Sequence, residues 1–172
     1  IAPIINHKEG LCANKWFRQA VSYALDYEEV MAATYGTNGY VTGSCYMDEA
    51  QPFWYTDAGS EEYNVHDPEK AKELLAEAGY PDGFEISLKT EETSALKNAA
   101  TIIQSYLAEV GIKVNLSILS GADANTAEAG WGEGMWLHGS SVYVSVPMQM
   151  ASMFRQNLTG HVLGINNLLR PD

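Results

Sequence analysis

The sequence predicts an α/β fold, a single domain over residues 1–172 in which helices flank a mixed sheet. Residues 84–119 carry the clearest signal, since their pattern indicates a strand, a long helix and a second strand with short joints between them. A unit of this kind places two parallel strands in one sheet and packs the helix against it. With 46% hydrophobic residues, a chain of this length supports one sizeable core.

The start of the chain predicts a short strand and two helices. Pro3 favours an edge or an end position for the strand that covers residues 1–5. Asp26, followed by Glu29 three residues later, is typical of a capped helix start and predicts a second helix over Tyr27–Tyr35. The first helix shows the spacing of one buried stripe, at Phe17, Ala20, Val21, Ala24 and Leu25.

Residues 36–65 show no sustained period of either kind, and we expect an ordered irregular segment there. The helix after this segment is marked at both ends. Asp67 is a good N-cap, and Pro68 suits the first helical position because its missing N–H costs nothing there. Gly79 supplies a left-handed residue after the helix, and the Pro-Asp-Gly turn at residues 81–83 then leads into a strand.

Two alternating segments predict parallel strands with a helix between them. Residues 84–89 bury one face, a helix runs from about Ser94 to Val110, and Ile112–Leu119 alternates again. Beyond residue 120 the pattern favours a short helix, a Gly-rich turn and an inner strand at Met135–Leu137. A helix begun by proline is predicted over residues 145–154.

The charge balance excludes some classes of partner. The chain has 10 Lys plus Arg against 22 Asp plus Glu, so it repels nucleic acid and anionic membrane surfaces. A small molecule or a protein is the expected partner. No apolar run is long enough to span a bilayer and residues 1–10 lack the pattern of a secretion signal, so we expect any export signal to lie outside this sequence.

No pattern of residues predicts catalysis, a bound metal or a cofactor. The four histidines stand far apart, without the spacing of metal ligands on a helix. Residues 139–143 have Tyr143 where a nucleophile elbow needs glycine, and residues 130–134 lack the third glycine of a dinucleotide-binding fingerprint. The sequence therefore predicts a protein that performs no reaction.

Cys12 and Cys45 are the two cysteines of the chain. A disulfide between them suits an exported protein, but the sequence does not place their Cα atoms within bonding range, and two buried thiols remain the alternative. A small hydrolase or redox protein that uses one of these thiols is a further hypothesis. It is the weakest one, because no histidine or basic residue is placed beside either cysteine to activate it.

Three stretches, taken in order, resemble the family 5 extracellular solute-binding proteins, the receptors of oligopeptide, dipeptide and nickel ABC importers. Residues 17–36 resemble that family's Arg-Gln-Ala helix and the Asp-capped helix after it. Residues 66–88 are similar to its Asp-Pro-x-Lys-Ala-x-x-Leu-Leu-x-x-Ala-Gly segment, and residues 102–119 to its next helix and strand. The resemblance covers Asn6 to about Phe154.

The resemblance implies a periplasmic-binding-protein-like lobe of type II. In that family this span is the second, ligand-facing lobe, inserted between two portions of the first lobe, so we expect the chain to be an excised lobe. The implied function is capture of a solute between the lobes and its delivery to ABC permease subunits. The implied location is outside the cytoplasm, in the periplasm or as a lipoprotein on a Gram-positive cell surface. A ligand-sensing domain of a cytoplasmic regulator is the alternative.

The resemblance leaves the ligand open. Peptide receptors of the family commonly hold the ligand's amino terminus with an aspartate shortly after a Gly-Trp pair, and the aligned positions here are Gly139 or Tyr143. Residues 135–171 contain neither Asp nor Glu, and an ammonium buried without a carboxylate is costly. An oligosaccharide, a blocked peptide or another uncharged solute is therefore the alternative to a peptide with a free amino terminus.

Aromatic residues near this stretch predict a surface for the ligand. Trp131 and Trp136, flanked by glycine and by His138, are the best candidates for an exposed stacking surface. The predicted ligand-binding residues are Trp131, Trp136, His138, Ser140 and Tyr143.

Overall fold

The computed structural model describes residues 2–5, 10–36, 52–53, 55–57, 65–124 and 134–138 of the chain. In these residues four strands form one sheet: β1 Ala2–Ile5, β2 Phe84–Glu91, β3 Ile112–Leu119 and β4 Met135–His138. Four helices accompany them in the same ranges: α1 Lys15–Ala24, α2 Tyr27–Tyr35, α3 Pro68–Glu77 and α4 Ser94–Glu109.

The sheet is mixed, with the strand order β1-β4-β2-β3. β2 runs parallel to both of its neighbours, with Leu88 opposite Met135 of β4 on one side and Leu116 of β3 on the other. β1 pairs antiparallel with β4 at the edge. These pairings confirm the predicted parallel strands on either side of α4 and the edge position expected for the strand that contains Pro3.

The predicted starts of α2 and α3 carry the expected caps. The Asp26 side chain accepts a hydrogen bond from the Glu29 N–H at 3.0 Å, and the Asp67 side chain accepts one from the Lys70 N–H at 2.9 Å. Each bond satisfies an N–H that has no partner inside its helix. α2 also ends as predicted, with Gly36 directly after it.

The joint between α3 and β2 depends on glycine at two points. Gly79 has a φ of 94°, and the N–H groups of Gly79 and Tyr80 donate to the last turn of α3, which closes a Schellman motif. Gly83 has a φ of 78°, and a Cβ on it would lie 1.9 Å from the Gly111 carbonyl oxygen. The same oxygen accepts the Phe84 N–H at 3.3 Å, so the close approach lies where β2 begins to pair with β3.

The main core lies between the helices and one face of the sheet. The predicted stripe of α1 is buried, and the Phe17 ring meets Phe84 edge-on with the centroids 5.2 Å apart. Leu88, on β2, has no exposed surface. Buried apolar residues from the other elements complete this core, among them Leu75, Ile103, Leu107, Ile112, Met135 and Leu137.

β2 is longer than predicted, because it continues through Thr90 to Glu91. Thr90 is buried although polar, and its hydroxyl donates to the Leu137 carbonyl oxygen of β4. The inner strand predicted at Met135–Leu137 is confirmed as β4. Most of the predicted irregular segment at 36–65, and all of the predicted helix at 145–154, lie outside the described residues.

Candidate ligand-facing edge of the sheet

The three parallel strands end on the same side of the sheet, at Glu91 of β2, Leu119 of β3 and His138 of β4. β1 runs the opposite way and starts there, since Ala2 pairs with His138. In open α/β sheets, ligands bind in the crevice outside the carboxyl ends of the strands. We call this side of the sheet the carboxyl edge and take it as the candidate site.

Hydrogen bonds across the sheet hold the carboxyl edge together. The Thr90 hydroxyl donates to the Leu137 carbonyl oxygen at 3.0 Å, which ties β2 to β4. The Glu92 N–H donates to the Leu119 carbonyl oxygen at 2.8 Å, one residue past the end of β2. Because both bonds lie within one residue of the strand ends, they fix the three strand ends relative to one another.

Short joints follow β2 and β3 at this edge. Thr93 caps α4 by accepting the Leu96 N–H at 3.2 Å, directly after β2. After β3, the Ser120 hydroxyl donates to the Asp123 carboxylate at 2.7 Å, where a helical turn covers residues 121–124. At these two strands the edge is therefore built from regular elements, which place side chains more accurately than long loops do.

The strands present two faces that differ in burial. Leu88, Thr90 and Leu137 point toward the main core and are buried. The register places Lys89 beside Trp136 on the opposite face, where Lys89 is half-buried and Trp136 is 1% exposed. Successive residues of a strand point to opposite faces. Trp136 is thus buried on the face of the sheet opposite the main core, to which Met135 and Leu137 contribute.

Trp136 is not the exposed stacking surface that the sequence predicts. Its side chain is 1% exposed, which leaves no ring face open to a ligand. Its Nε1 is a buried donor with no hydrogen-bond partner among the described residues. The prediction of an exposed ring was wrong because three consecutive residues, Met135, Trp136 and Leu137, are all buried. A short strand covered on both faces shows no alternation of apolar and polar residues, so its sequence does not indicate which face is buried.

The side chains of the other predicted ligand-binding residues are not described. His138 ends β4, which places its backbone at the carboxyl edge. Trp131, Ser140 and Tyr143 lie outside the described residues. Contact between these residues and a ligand stays a prediction, as it does for Trp136.

The opposite end of the strands holds a cleft of about 180 Å³. Glu85, at this cleft, accepts hydrogen bonds from Asn115 and, at 3.0 Å, from Lys113. The Asn115 hydrogen bond, and after it Lys113, lowers the pKa of the Glu85 carboxyl. All three side chains are exposed, so this network contributes little to stability. The lining of the cleft is formed by Gly10, Leu11, Cys12, Glu85, Ile86, Ser87 and Gly134.

Cys12 is buried beside this cleft, and its thiol donates to the Gly134 carbonyl oxygen at 3.6 Å. Reactive thiols occupy partly exposed, electropositive surroundings. The 3% exposure of Cys12 therefore argues against its use as a nucleophile. Cys45 lies outside the described residues, so the disulfide between the two cysteines stays a prediction.

The described histidine side chain, His66, lies on the surface away from the carboxyl edge. Its Nδ1 is 3.9 Å from the Asp26 carboxylate, and its ring meets Tyr106 edge-on with the centroids 5.1 Å apart. Within the ranges that the structure describes, no three His, Cys, Asp or Glu side chains come together as a metal site. In the same ranges, no helix combines the length and the apolar surface needed to cross a membrane.

Comparison with known proteins assigns the chain to a family. Residues 4–160 match the bacterial extracellular solute-binding proteins, family 5 Middle. The chain belongs to this family. The resemblance carried by residues 17–36, 66–88 and 102–119 is thereby confirmed. Family 5 is a family of binding proteins.

Individual proteins are similar to the chain in sequence or in fold. Heme-binding protein A of Haemophilus influenzae is 34% identical over 110 residues, which are 57% of this chain and 18% of that protein. The solved structure of AppA from Clostridium difficile matches with a TM-score of 0.74 and 26% identity, over 99% of this chain and 34% of AppA. DppA from Helicobacter pylori, an ABC transporter-associated periplasmic binding protein in complex with the peptide STSA, gives a TM-score of 0.70 and 27% identity.

The family 5 chain is short beside these relatives. It covers 18% of Heme-binding protein A, 34% of AppA and, with 84% of its own length, 27% of DppA. The fold matches confirm the predicted periplasmic-binding-protein-like α/β architecture.

Sequence reasoning does not single out Lys89 or Thr90 at the carboxyl edge. Lys89 is one of the polar residues that alternate with apolar ones along β2, and the pattern alone does not distinguish it from a solvent-facing residue. Thr90 lies beyond the predicted end of that strand. Only the register of β2 against β4 identifies the two positions, and it joins segments far apart in the sequence.

Proposed function

We propose that this family 5 protein is one lobe of a larger solute receptor and forms one wall of a cleft between two lobes. The receptor delivers its solute to the permease of an ABC importer and performs no reaction. The observation that carries the proposal is the family match over residues 4–160, by a chain that spans 18% of one relative and 34% of another. We place the receptor outside the cytoplasm, in the periplasm or on a Gram-positive cell surface.

A peptide is the solute class we propose. Its support is the family itself together with DppA, which has the peptide STSA bound. Heme-binding protein A is named for a different ligand, so membership alone does not fix the solute. Because residues 135–171 contain no Asp or Glu, we propose that the other lobe supplies the acid for a free amino terminus.

An uncharged solute, such as an oligosaccharide or a blocked peptide, is the second candidate. The same lack of acidic residues over 135–171 favours it. The burial of Trp136 counts against a sugar, because it removes one of the aromatic platforms on which a sugar ring would stack. The peptide class therefore ranks first.

A ligand-sensing domain of a cytoplasmic regulator is the alternative of another class. It requires a DNA-binding module in the same polypeptide, and the sequence of the complete polypeptide decides for or against it.

Thermal unfolding of the complete receptor tests the proposal. The ligands are di- and oligopeptides, oligosaccharides, heme and nickel chelates. A ligand that binds only the folded state stabilises it by about 2.7 kcal/mol at one hundred times its Kd. We expect the melting temperature to rise with free peptides, whereas a rise with sugars alone would overturn the peptide class.

The isolated chain provides the control for the one-lobe architecture. A cleft receptor gains affinity by burying its ligand between two surfaces, so one lobe alone lacks half of the contacts. We expect no rise in melting temperature for the isolated chain with any ligand of the same panel. Micromolar or tighter binding of a peptide by this chain would contradict the one-lobe proposal.

A further inference from the structure

Lys89 is a half-buried cation on a strand with a neighbour on each side. Trp136 of β4 lies beside it in the register on one side, and Ser117 of β3 lies on the other. No hydrogen bond, ion pair or ring contact joins its ammonium to a residue of the described ranges. A half-buried lysine packs its stem along apolar surface and extends its ammonium toward water. The described part of the chain offers this ammonium no anion.

Most other lysines of the described ranges differ in this respect. Lys70 and Lys72 pair with carboxylates on α3 at 3.0 and 2.8 Å, and Lys113 pairs with a carboxylate of β2 at 3.0 Å. Lys97 has no such partner either and is half-buried as Lys89 is, but it lies on a helix, α4. Lys89 projects from the sheet itself.

A second donor without an acceptor lies in the same row of the sheet. Trp136 pairs with Lys89 in the register and points to the same face, and its buried Nε1 has no hydrogen-bond partner among the described residues. Neighbouring strands are about 4.8 Å apart, so the two side chains are adjacent. Buried polar groups are almost always hydrogen-bonded. Trp136 is too deeply buried for a solute to reach its Nε1, whereas Lys89 is only half-buried, so Lys89 is the donor that an acceptor from outside can reach.

We propose that Lys89 binds an acidic group of the solute, which for a peptide is its carboxylate. Lys89, Trp136 and Ser117 each lie two residues before the end of their strand, so their row adjoins the carboxyl edge. The buried indole reduces the water beside the ammonium, which strengthens its attraction for an anion. The inference rests on the proposed function, because that function places the solute at the carboxyl edge.

The surrounding charges make a local cation necessary for this role. The chain has a net charge of −12, so its long-range field repels an anionic solute. Glu91 follows Lys89 on the same face of β2, but no ion pair joins the two. A carboxylate from the solute would therefore not have to displace an existing partner of Lys89.

Matched peptides with a free or an amidated carboxyl terminus test the inference on the complete receptor. The probes are one pool of tetrapeptides in the two forms, with the apparent Kd of each measured by titration. We expect the unmodified receptor to bind the free-carboxylate pool at least about tenfold more tightly. Lys89→Met should abolish this ratio, and Lys89→Arg should keep most of it.

Lys113→Met is the matched control, because Lys113 lies on the same face at the other end of the strands. It should leave the ratio unchanged. The melting temperature of each variant without ligand separates lost binding from lost folding, and Lys89→Gln replaces Lys89→Met if the latter does not fold. A carboxylate preference that survives Lys89→Met, or Lys89→Gln in its place, overturns the inference and leaves the proposed function standing. If neither pool binds the unmodified receptor, the peptide class is overturned and the inference with it.

Discussion

The two faces of the sheet differ in how completely their groups are partnered. On the face toward the helices, Leu88 and Leu137 have no exposed surface. Thr90 is the buried polar residue of the described ranges, and its hydroxyl bonds to the Leu137 carbonyl oxygen. Where β2 and β4 form it, this face is closed by the chain's own atoms, and we call it the closed face.

The opposite face changes along the strands. At one end, Glu85 and Lys113 form an exposed ion pair. Toward the carboxyl edge, Lys89 and the Trp136 indole are donors without an acceptor in the described residues. The difference teaches that alternate residues of the same strands are partnered differently: one set bonds within the fold, and the other includes donors that have no acceptor in the described residues, as the role proposed for Lys89 requires.

The largest effect is expected from a cavity on the closed face. Leu88→Ala should lower the free energy of unfolding by about 2–5 kcal/mol, because the side chain is fully buried and its removal leaves a void. Urea denaturation followed by circular dichroism measures the loss. Ile118→Ala is the matched control, since Ile118 pairs with Thr90 and points to the same face but is 43% exposed. Its loss should stay within about 1 kcal/mol. Equal losses for the two variants would mean that the closed face is not the main core.

A smaller effect is expected from the one polar bond within that face. Thr90→Val keeps the volume but leaves the Leu137 carbonyl oxygen without its donor, so we expect a loss of about 1–3 kcal/mol. Thr101→Val removes an exposed hydroxyl that donates within α4 at 2.9 Å, and it should change stability by no more than about 0.5 kcal/mol. If Thr90→Val leaves the free energy of unfolding unchanged, the hydrogen bond from Thr90 to Leu137 does not stabilise the closed face. The two faces would then differ less in the importance of partners for their polar groups.

Local signals explain which parts of the fold the sequence could predict. Asp26, Asp67 and Gly79 act within a few residues of their own helix, so their types and spacing mark the helix ends correctly. The bond from Thr90 to Leu137 joins residues 47 apart, and no local pattern indicates it. The burial of Trp136 depends equally on which strand lies beside β4. The site could therefore be assigned to a region of the chain, whereas the face and partner of each side chain required the register.

The smallest effect is expected at the exposed end of the opposite face. The hydrogen bond from Asn115, and after it the Lys113 ammonium, lowers the pKa of the Glu85 carboxyl below its ordinary value of 4.5. A lowered pKa means that the folded state favours the carboxylate. The stabilising contribution is therefore present above pH 4.5 and is lost as the pH falls through the pKa of the folded state. Glu85→Gln tests this contribution.

We expect Glu85→Gln to lower the melting temperature slightly at pH 7, and less in high salt, because both charged groups are exposed to solvent. The difference from the unmodified chain should disappear in acid, where the carboxyl of the unmodified chain is itself protonated. Glu92→Gln, at an exposed position outside this network, is the control. A deficit that persisted in acid would show that Glu85 acts through packing. The exposed end of this face would then be stabilised by packing, as the closed face is. The partners of the polar groups would no longer distinguish the two faces.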